Sequence, residues 1–434
     1  MTNDNGLFAP DFKCEPYWWD AAPRPRVEDE EPPRRADVVV VGSGYTGLHA
    51  ALQTARDGRH TVVIDAESLG FGCSSRNGGQ VSPSIKDSYE ALARSYGADA
   101  AFAIRKTGFL ALEYIEQFIE AEKIDCDWRR VGRFHGAYHA SSYERMARAL
   151  ENQPSGIDRQ GYAVPRAEQH TEIGTDLYHG GIVYPADASV DPGKYHQGLL
   201  DSVSHAGATL ISNCPVTHIE RRDDGFEVST PRGSVRTRDV VIATNGYSGP
   251  LSPWHRRRVI PIGSYMIATE AFDTELMAKL CPKSRVLSDS RRLVFYYRPS
   301  PDGRRILFGG RVALRETDPK VSGPRLHQAM CRIFPELEDV KISHSWLGFV
   351  AYTFDTLPHT GVNDGIHYAM GYCGSGVSLS SYLGMVVGQK ILGGAPGQTA
   401  LENIEFQTRP FYTGVPWFLA PSVFVYRMRD KFGF

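Results

Sequence analysis

The sequence is short of the features that would mark several large classes of protein. Its seven cysteines, at positions 14, 73, 126, 214, 281, 331 and 373, are odd in number and contain no CxxC pair. That argues against a disulfide framework and against a zinc site, so no metal is expected. No apolar run approaches the roughly 20 residues that span a bilayer, and no integral membrane segment is expected. The formal net charge is -2, so no global field draws the chain to nucleic acid. Residues 1–12 lack the basic and apolar blocks of a signal peptide. With the scattered cysteines, this points to a reducing, cytoplasmic location. No internal repeat is visible.

What is present is α/β patterning over 434 residues, long enough for two domains. Val38-Val39-Val40-Val41 reads as a strand buried on both faces. A helix is predicted over 46–57, ended by Gly58, followed by a second buried strand over 61–64. Strand, turn, helix and strand form a βαβ unit. The turn is Gly42-Ser43-Gly44-Tyr45-Thr46-Gly47. Gly42 permits the tight turn, Gly44 lets backbone approach a diphosphate, and Gly47 lets the helix pack closely on the sheet. Asp65, with Ala66 after it, ends the second strand about 20 residues after the first glycine, where a carboxylate accepts hydrogen bonds from a ribose diol. It also argues against a 2′-phosphate. The competing reading is a glycine turn with no ligand. The flanking strand, helix and acid together favour a dinucleotide.

The segment after Asp65 selects the cofactor. It is dense in small, hydrogen-bonding residues: Gly72, Cys73, Ser74, Ser75, Arg76, Asn77, Gly78, Gly79, Gln80 and Val81. A nicotinamide dehydrogenase has no need of such a loop there, whereas an extended FAD does. The segment from Gly70 to Val81, following Val62 to Glu67, resembles the D-amino acid oxidase superfamily of flavin-dependent oxidoreductases, most closely its gamma-glutamylputrescine oxidase branch. Val241 to Tyr247, Asp355 to Gly361 and Gly371 to Val377 resemble three further family segments, so the likeness covers most of the chain. It implies a glutathione-reductase-type, Rossmann-like FAD-binding domain with an inserted β-rich (α+β) substrate domain. It also implies FAD contacts at Ala243, Thr244 and Asn245, at Val216 after the Cys-Pro turn, and at Gly374, Ser375, Gly376 and Val377. The last four open a helix whose positive end would face the flavin.

The resemblance implies removal of a hydride from the carbon beside a neutral amine nitrogen to flavin N5, giving an aldehyde, ammonia and hydrogen peroxide. The expected substrate is a small primary or secondary amine of the gamma-glutamylputrescine kind. A glycine, sarcosine or D-amino acid oxidase or dehydrogenase is the alternative. No catalytic side chain is assigned, since the flavin carries the chemistry. Residues 346–353 hold no cysteine and the 69–81 loop no histidine, the places where relatives attach FAD covalently, so the FAD is expected to be non-covalent. Some sarcosine-oxidising relatives place a lysine over the flavin; residues 306–311 have none, and oxygen or another electron acceptor stays open.

Substrate-side candidates lie in the β-rich blocks: Arg298 and Arg311 for a carboxylate, and Tyr265, Tyr296, Tyr297 and Tyr352 to wall an amine. For each, ordinary packing or solvation is the competing reading. Arg129, Arg130, Arg133 and His135 read as a surface group, and Cys73 as a small packing residue. The expected division is an N-terminal arm 1–35, an FAD-binding domain from 36–95, 185–257 and 341–400, a substrate domain from 96–184 and 258–340, and a tail 401–434. Tyr17-Trp18-Trp19 is the arm's one apolar anchor, read as docking on the body. The aromatic tail is read as packing on the body or on a second subunit, in preference to lying on a membrane surface. A homo-oligomer is compatible with all of this.

Overall fold

The computed structural model describes residues 6–25, 31–394, 397, 399–402 and 404–433; residues 28–30 of the acidic leader and residue 434 of the tail lie outside this set. The valine run forms the centre of the first sheet. Arg35–Val41 pairs in parallel with Thr61–Ile64 on one side and Gly233–Ile242 on the other. Thr209–Ile211 and Ile366–Met370 extend this parallel set, while Gly225–Thr230 and His218–Arg222 add an antiparallel meander. Val38, Val39 and Val40 are fully buried, as expected of strands covered on both faces. Helices Tyr45–Arg56, Ala98–Ala121 and Gly376–Ile391 supply one cover through a shared core with Leu48, Ile115 and Leu383.

The second sheet has nine strands. Its order is Phe8–Lys13, Ile342–Tyr352, Ile260–Thr269, Ile306–Gly310, Tyr296–Pro299, Val286–Asp289, Arg133–Gly136, Gly181–Tyr184 and Tyr162–Val164. Helix Pro319–Cys331 packs on it over a core that includes Tyr265, Tyr297, Phe308 and Phe334. A short ribbon, Gln80–Val81 with Ala188–Ser189, joins neither large sheet. The architecture is therefore α/β, a Rossmann-like sheet plus a β-rich partner. Tyr296–Pro299 and Ile306–Gly310 form an antiparallel hairpin.

Three placements differ from the sequence reading. The arm is not irregular: Phe8–Lys13 adds a parallel edge strand to Ile342–Tyr352, and Trp18–Ala21 is a helical turn. Ile342–Tyr352, assigned above to the 341–400 piece of the FAD-binding domain, instead pairs along its length with Ile260–Thr269. Gly97, whose φ of +87 suits glycine, separates helices Tyr89–Tyr96 and Ala98–Ala121. Ala98–Ala121, assigned above to the substrate domain, packs by Ile104, Leu112 and Ile115 into the core of the first sheet's helices. Among the described residues no helix is long and apolar enough to cross a membrane.

Candidate active site

The glycine turn is built as its sterics require. Gly42 has φ +106, and a Cβ there would lie 3.1 Å from the Ala243 carbonyl oxygen. A Cβ on Gly47 would lie 2.0 Å from the Gly42 oxygen. Helix Tyr45–Arg56 starts at Gly44 with no side-chain cap; the Tyr45 N–H donates to Ser74 Oγ at 3.0 Å. Asp65 pins the turn, accepting from the Ser43 N–H at 2.8 Å, the Ser43 hydroxyl at 2.5 Å and the Glu67 N–H at 3.0 Å.

A cavity of about 1470 Å³ opens beside this helix start. Gly44, Tyr45 and Thr46 are on its wall, as are Cys73, Ser74, Arg76, Asn77, Gly78 and Gln80 from the loop. Ala243 and Asn245 line it, and Gly374, Ser375, Gly376 and Val377 close another side. Helix Gly376–Ile391 likewise starts without a side-chain cap. Two uncapped helix starts therefore meet one cavity, so their amide ends suit a ligand with an anionic diphosphate and an electron-rich ring edge. A Cβ on Gly44 would meet Ser74 Oγ at 3.0 Å, so the approach depends on glycine. The residues fit an extended flavin dinucleotide.

The remaining expected contacts are off the cavity wall. Gly42, Ser43 and Gly47 form the turn behind it. Ala66 is exposed beside Asp65, Val216 packs partly buried under the sheet, and Thr244 bonds Ser248 Oγ at 2.7 Å. Gly72, Ser75, Gly79 and Val81 form the loop's back. That back is braced by three tryptophans, two of them from the N-terminal arm. Trp18 Nε1 donates to the Asn77 carbonyl at 2.8 Å, Trp19 Nε1 to Ser75 Oγ at 2.9 Å, and Trp346 Nε1 to the Arg76 carbonyl at 2.8 Å. The Arg76 guanidinium sits 4.6 Å over the Trp19 ring.

Arg298 is corrected as a substrate contact. It is buried and donates to the carbonyls of Gly79 at 3.0 Å and Val190 at 2.8 Å, a strut beneath the loop. Tyr265 and Tyr297 are also off the wall. Tyr265 is buried with its hydroxyl donating to Glu316 at 2.7 Å, and the Tyr297 hydroxyl is bonded to that of Tyr178 at 2.8 Å. Tyr296, Tyr352 and Arg311 do line the cavity. The Tyr296 hydroxyl bonds Ser264 Oγ at 2.7 Å, and its ring is wedged where Gly78 and Gly309 leave room. Tyr352 meets Lys86 Nζ at 3.5 Å. Arg311 is tied to the Gly263 carbonyl at 2.8 Å and Glu316 at 2.9 Å, which neutralises it. Cys73 is on the wall rather than in packing; burial pushes its thiol up to about 11, against the pull of Arg76.

Sequence reasoning also missed a polar side of the cavity. Arg133 and His135 alternate on strand Arg133–Gly136, which puts both on one face. That face lines the cavity, so the pair is corrected from a surface group. Arg133 Nη1 donates to Gln80 Oε1 at 2.8 Å, and His135 Nδ1 is 2.8 Å from Ser288 Oγ. Burial, aided by Arg133 and Arg159, holds His135 down to about 3, so its ring is neutral. Helix Leu419–Phe432 completes the wall with Leu419, Val423 and Tyr426. Its Asp430 carboxylate accepts from the N–H groups of Arg292 at 2.7 Å and Leu293 at 3.1 Å. The tail thus packs on the body, as read.

Comparison with known proteins agrees with this geometry. The family model described as DAO, FAD dependent oxidoreductase, matches residues 37–390. Gamma-glutamylputrescine oxidoreductase of Escherichia coli is 31% identical over 407 residues, covering 92% of this chain and 93% of the relative. The probable oxidoreductase OrdL of Rhizobium meliloti is 32% identical over 412 residues, covering 92% and 93%. Among solved structures, glycine oxidase from Geobacillus kaustophilus has a TM-score of 0.70 at 20% identity, over 87% of this chain and 99% of that one. That likeness carries the fold.

Proposed function

We propose a function from one established premise: this chain belongs to the DAO family of FAD-dependent oxidoreductases. It is an enzyme, and FAD is its cofactor. The reaction we assign is oxidation of the C–N bond of a primary or secondary amine of the gamma-glutamylputrescine kind. The observation that carries this reading is the cavity, walled on one side by the two helix starts and the 72–81 loop and on another by Tyr296 and Tyr352.

Bound FAD supplies the acceptor for the substrate hydride. The helix start at Gly44 to Thr46 would hold the diphosphate, Asp65 the ribose, and the start at Gly376 the flavin edge. No covalent link is assigned. Tyr296 and Tyr352 would hold the amine by their aromatic faces. Neutral His135 adds no positive charge to the wall near the substrate. Water hydrolyses the imine, so a primary amine, water and oxygen yield aldehyde, ammonia and hydrogen peroxide. The family likeness to an enzyme named for gamma-glutamylputrescine supports the amine class.

A substrate panel tests this. Long-chain amines, N-acylated diamines, glycine, sarcosine and D-amino acids are compared by peroxide release and by dye reduction. Turnover of the N-acylated diamines is expected. Turnover of amino acids alone would replace this reading with an amino-acid oxidase.

A further inference from the structure

We infer that the cavity has an anion-recognising arm, formed by Arg105, Arg133 and Arg159, that binds a carboxylate at the end of the substrate remote from the oxidised amine. This rests on the amine-oxidising function proposed above. All three guanidiniums line the cavity. One carboxylate stands against two of them: fully buried Asp187 accepts from Arg133 Nε at 2.7 Å and from Arg159 Nη2 at 2.6 and 2.9 Å. Arg105 adds a third charge. Its Nη1 donates to the Ile85 carbonyl at 3.0 Å and the Asp87 carbonyl at 3.3 Å, and among the described residues no carboxylate lies within ion-pair distance of it.

The excess charge is only partly open to solvent: the Arg133 and Arg159 side chains are 15% and 14% exposed, and Arg105 is half-buried. Burial depresses the Arg105 guanidinium, and the neighbouring Arg159 depresses it further. Arg159 Nε is buried with no hydrogen-bond partner. The Tyr184 ring lies 3.7 Å from the Arg159 guanidinium carbon and fixes its plane. Of the nearby acids on the wall, Asp87 accepts from the Thr356 hydroxyl at 2.9 Å, and Glu90, exposed and bonded to Ser88, attracts Arg105 only from beyond ion-pair distance. Leaving like charges buried together is costly unless an anion completes the set. Planar guanidiniums with free N–H edges match a carboxylate in bidentate geometry. Gln80 of the 72–81 loop accepts from Arg133 at 2.8 Å, so the arm and the loop share one cavity wall, which neutral His135 also lines. One molecule can therefore present its amine near the loop and its carboxylate to the arginines.

The test uses the FAD-loaded protein and two substrates, N-glutaryl-1,4-diaminobutane and its terminal primary amide. Wild type is expected to show a KM about 10- to 100-fold lower for the acid than for the amide, the range of a charged hydrogen-bond contact. In Arg159→Gln and in Arg105→Gln that ratio is expected to fall toward one. Arg105 is bonded only to main-chain carbonyls in the contacts above, so its variant keeps the test open if Arg159→Gln does not fold. Glutarate, added without substrate, is expected to raise the Tm of wild type more than that of either variant. A wild-type KM ratio of one, or a ratio unchanged in both variants, would overturn the arm. If neither amine is oxidised but glutarate still stabilises wild type selectively, the arm stands and the amine-oxidising function fails.

Discussion

Arg298 and Tyr296 lie two residues apart on one strand, yet only Tyr296 reaches the cavity. Arg298 instead reaches under the 72–81 loop to the carbonyls of Gly79 and Val190. Its loss leaves the Val190 carbonyl without its Arg298 partner, at roughly 1–3 kcal/mol, while the Gly79 carbonyl keeps the Val190 N–H at 2.9 Å. Arg298→Met is therefore expected to lower Tm and to release FAD more readily, measured by melting and by flavin retained on gel filtration. A variant with full FAD retention but a raised KM would return Arg298 to the substrate side. Local sterics made the glycine turn legible in part, because Gly47 answers a clash within its own βαβ unit, while the clash at Gly42 comes from Ala243 on a distant strand end. The tyrosines and arginines were legible only as candidates. Strand alternation separates Tyr296 from Tyr297 but does not say which face meets the cavity. Arg105 and Arg159 stand in a long helix and an irregular segment, and only the tertiary fold brings Arg159 to Asp187 and Arg105 near Arg159.

Helices Tyr45–Arg56 and Gly376–Ile391 hold the two amide ends that face the cavity, and they pack through glycines one turn apart. A Cβ on Gly384 would lie 2.4 Å from the Thr46 carbonyl oxygen, and one on Gly388 would lie 2.6 Å from Gln53 Cβ. Gly384→Val overpacks this contact, with an expected stability loss of about 1–3 kcal/mol or more. Displacing the Gly376 end should also weaken FAD, so Tm and FAD affinity are expected to fall together. An unchanged affinity beside a lowered Tm would separate the helix pair from the site. The first helix was legible from its spacing and the Gly58 stop, and the start of the second from the family resemblance. The partner of strand Ile342–Tyr352 was not legible. Its pairing with Ile260–Thr269 spans about eighty residues of chain, and no local pattern encodes that register. The arm Trp18–Trp19 was legible as an aromatic anchor; that it clamps the cofactor loop was not.

At the scale of the whole molecule, three buried histidines set an acid limit. Burial holds His49, His135 and His196 down to about 3, against an ordinary value near 6.5. Below about pH 6.5 the unfolded chain binds protons that the folded chain refuses. Each such site then removes up to ~1.4 kcal/mol per pH unit as pH falls toward 3. Tm is expected to drop between pH 7 and pH 5, and the drop to be smaller in His49→Gln; a flat profile would count against this. The central claim is that FAD bound between the two sheets takes hydride from an amine. The most direct measurement is anaerobic addition of an N-acylated diamine to the purified yellow protein, followed by its visible absorbance. The account predicts loss of the oxidised-flavin band within the mixing and turnover time, and free FAD in the supernatant after heat denaturation. A yellow protein that no amine bleaches, or a protein without flavin absorbance, would contradict it.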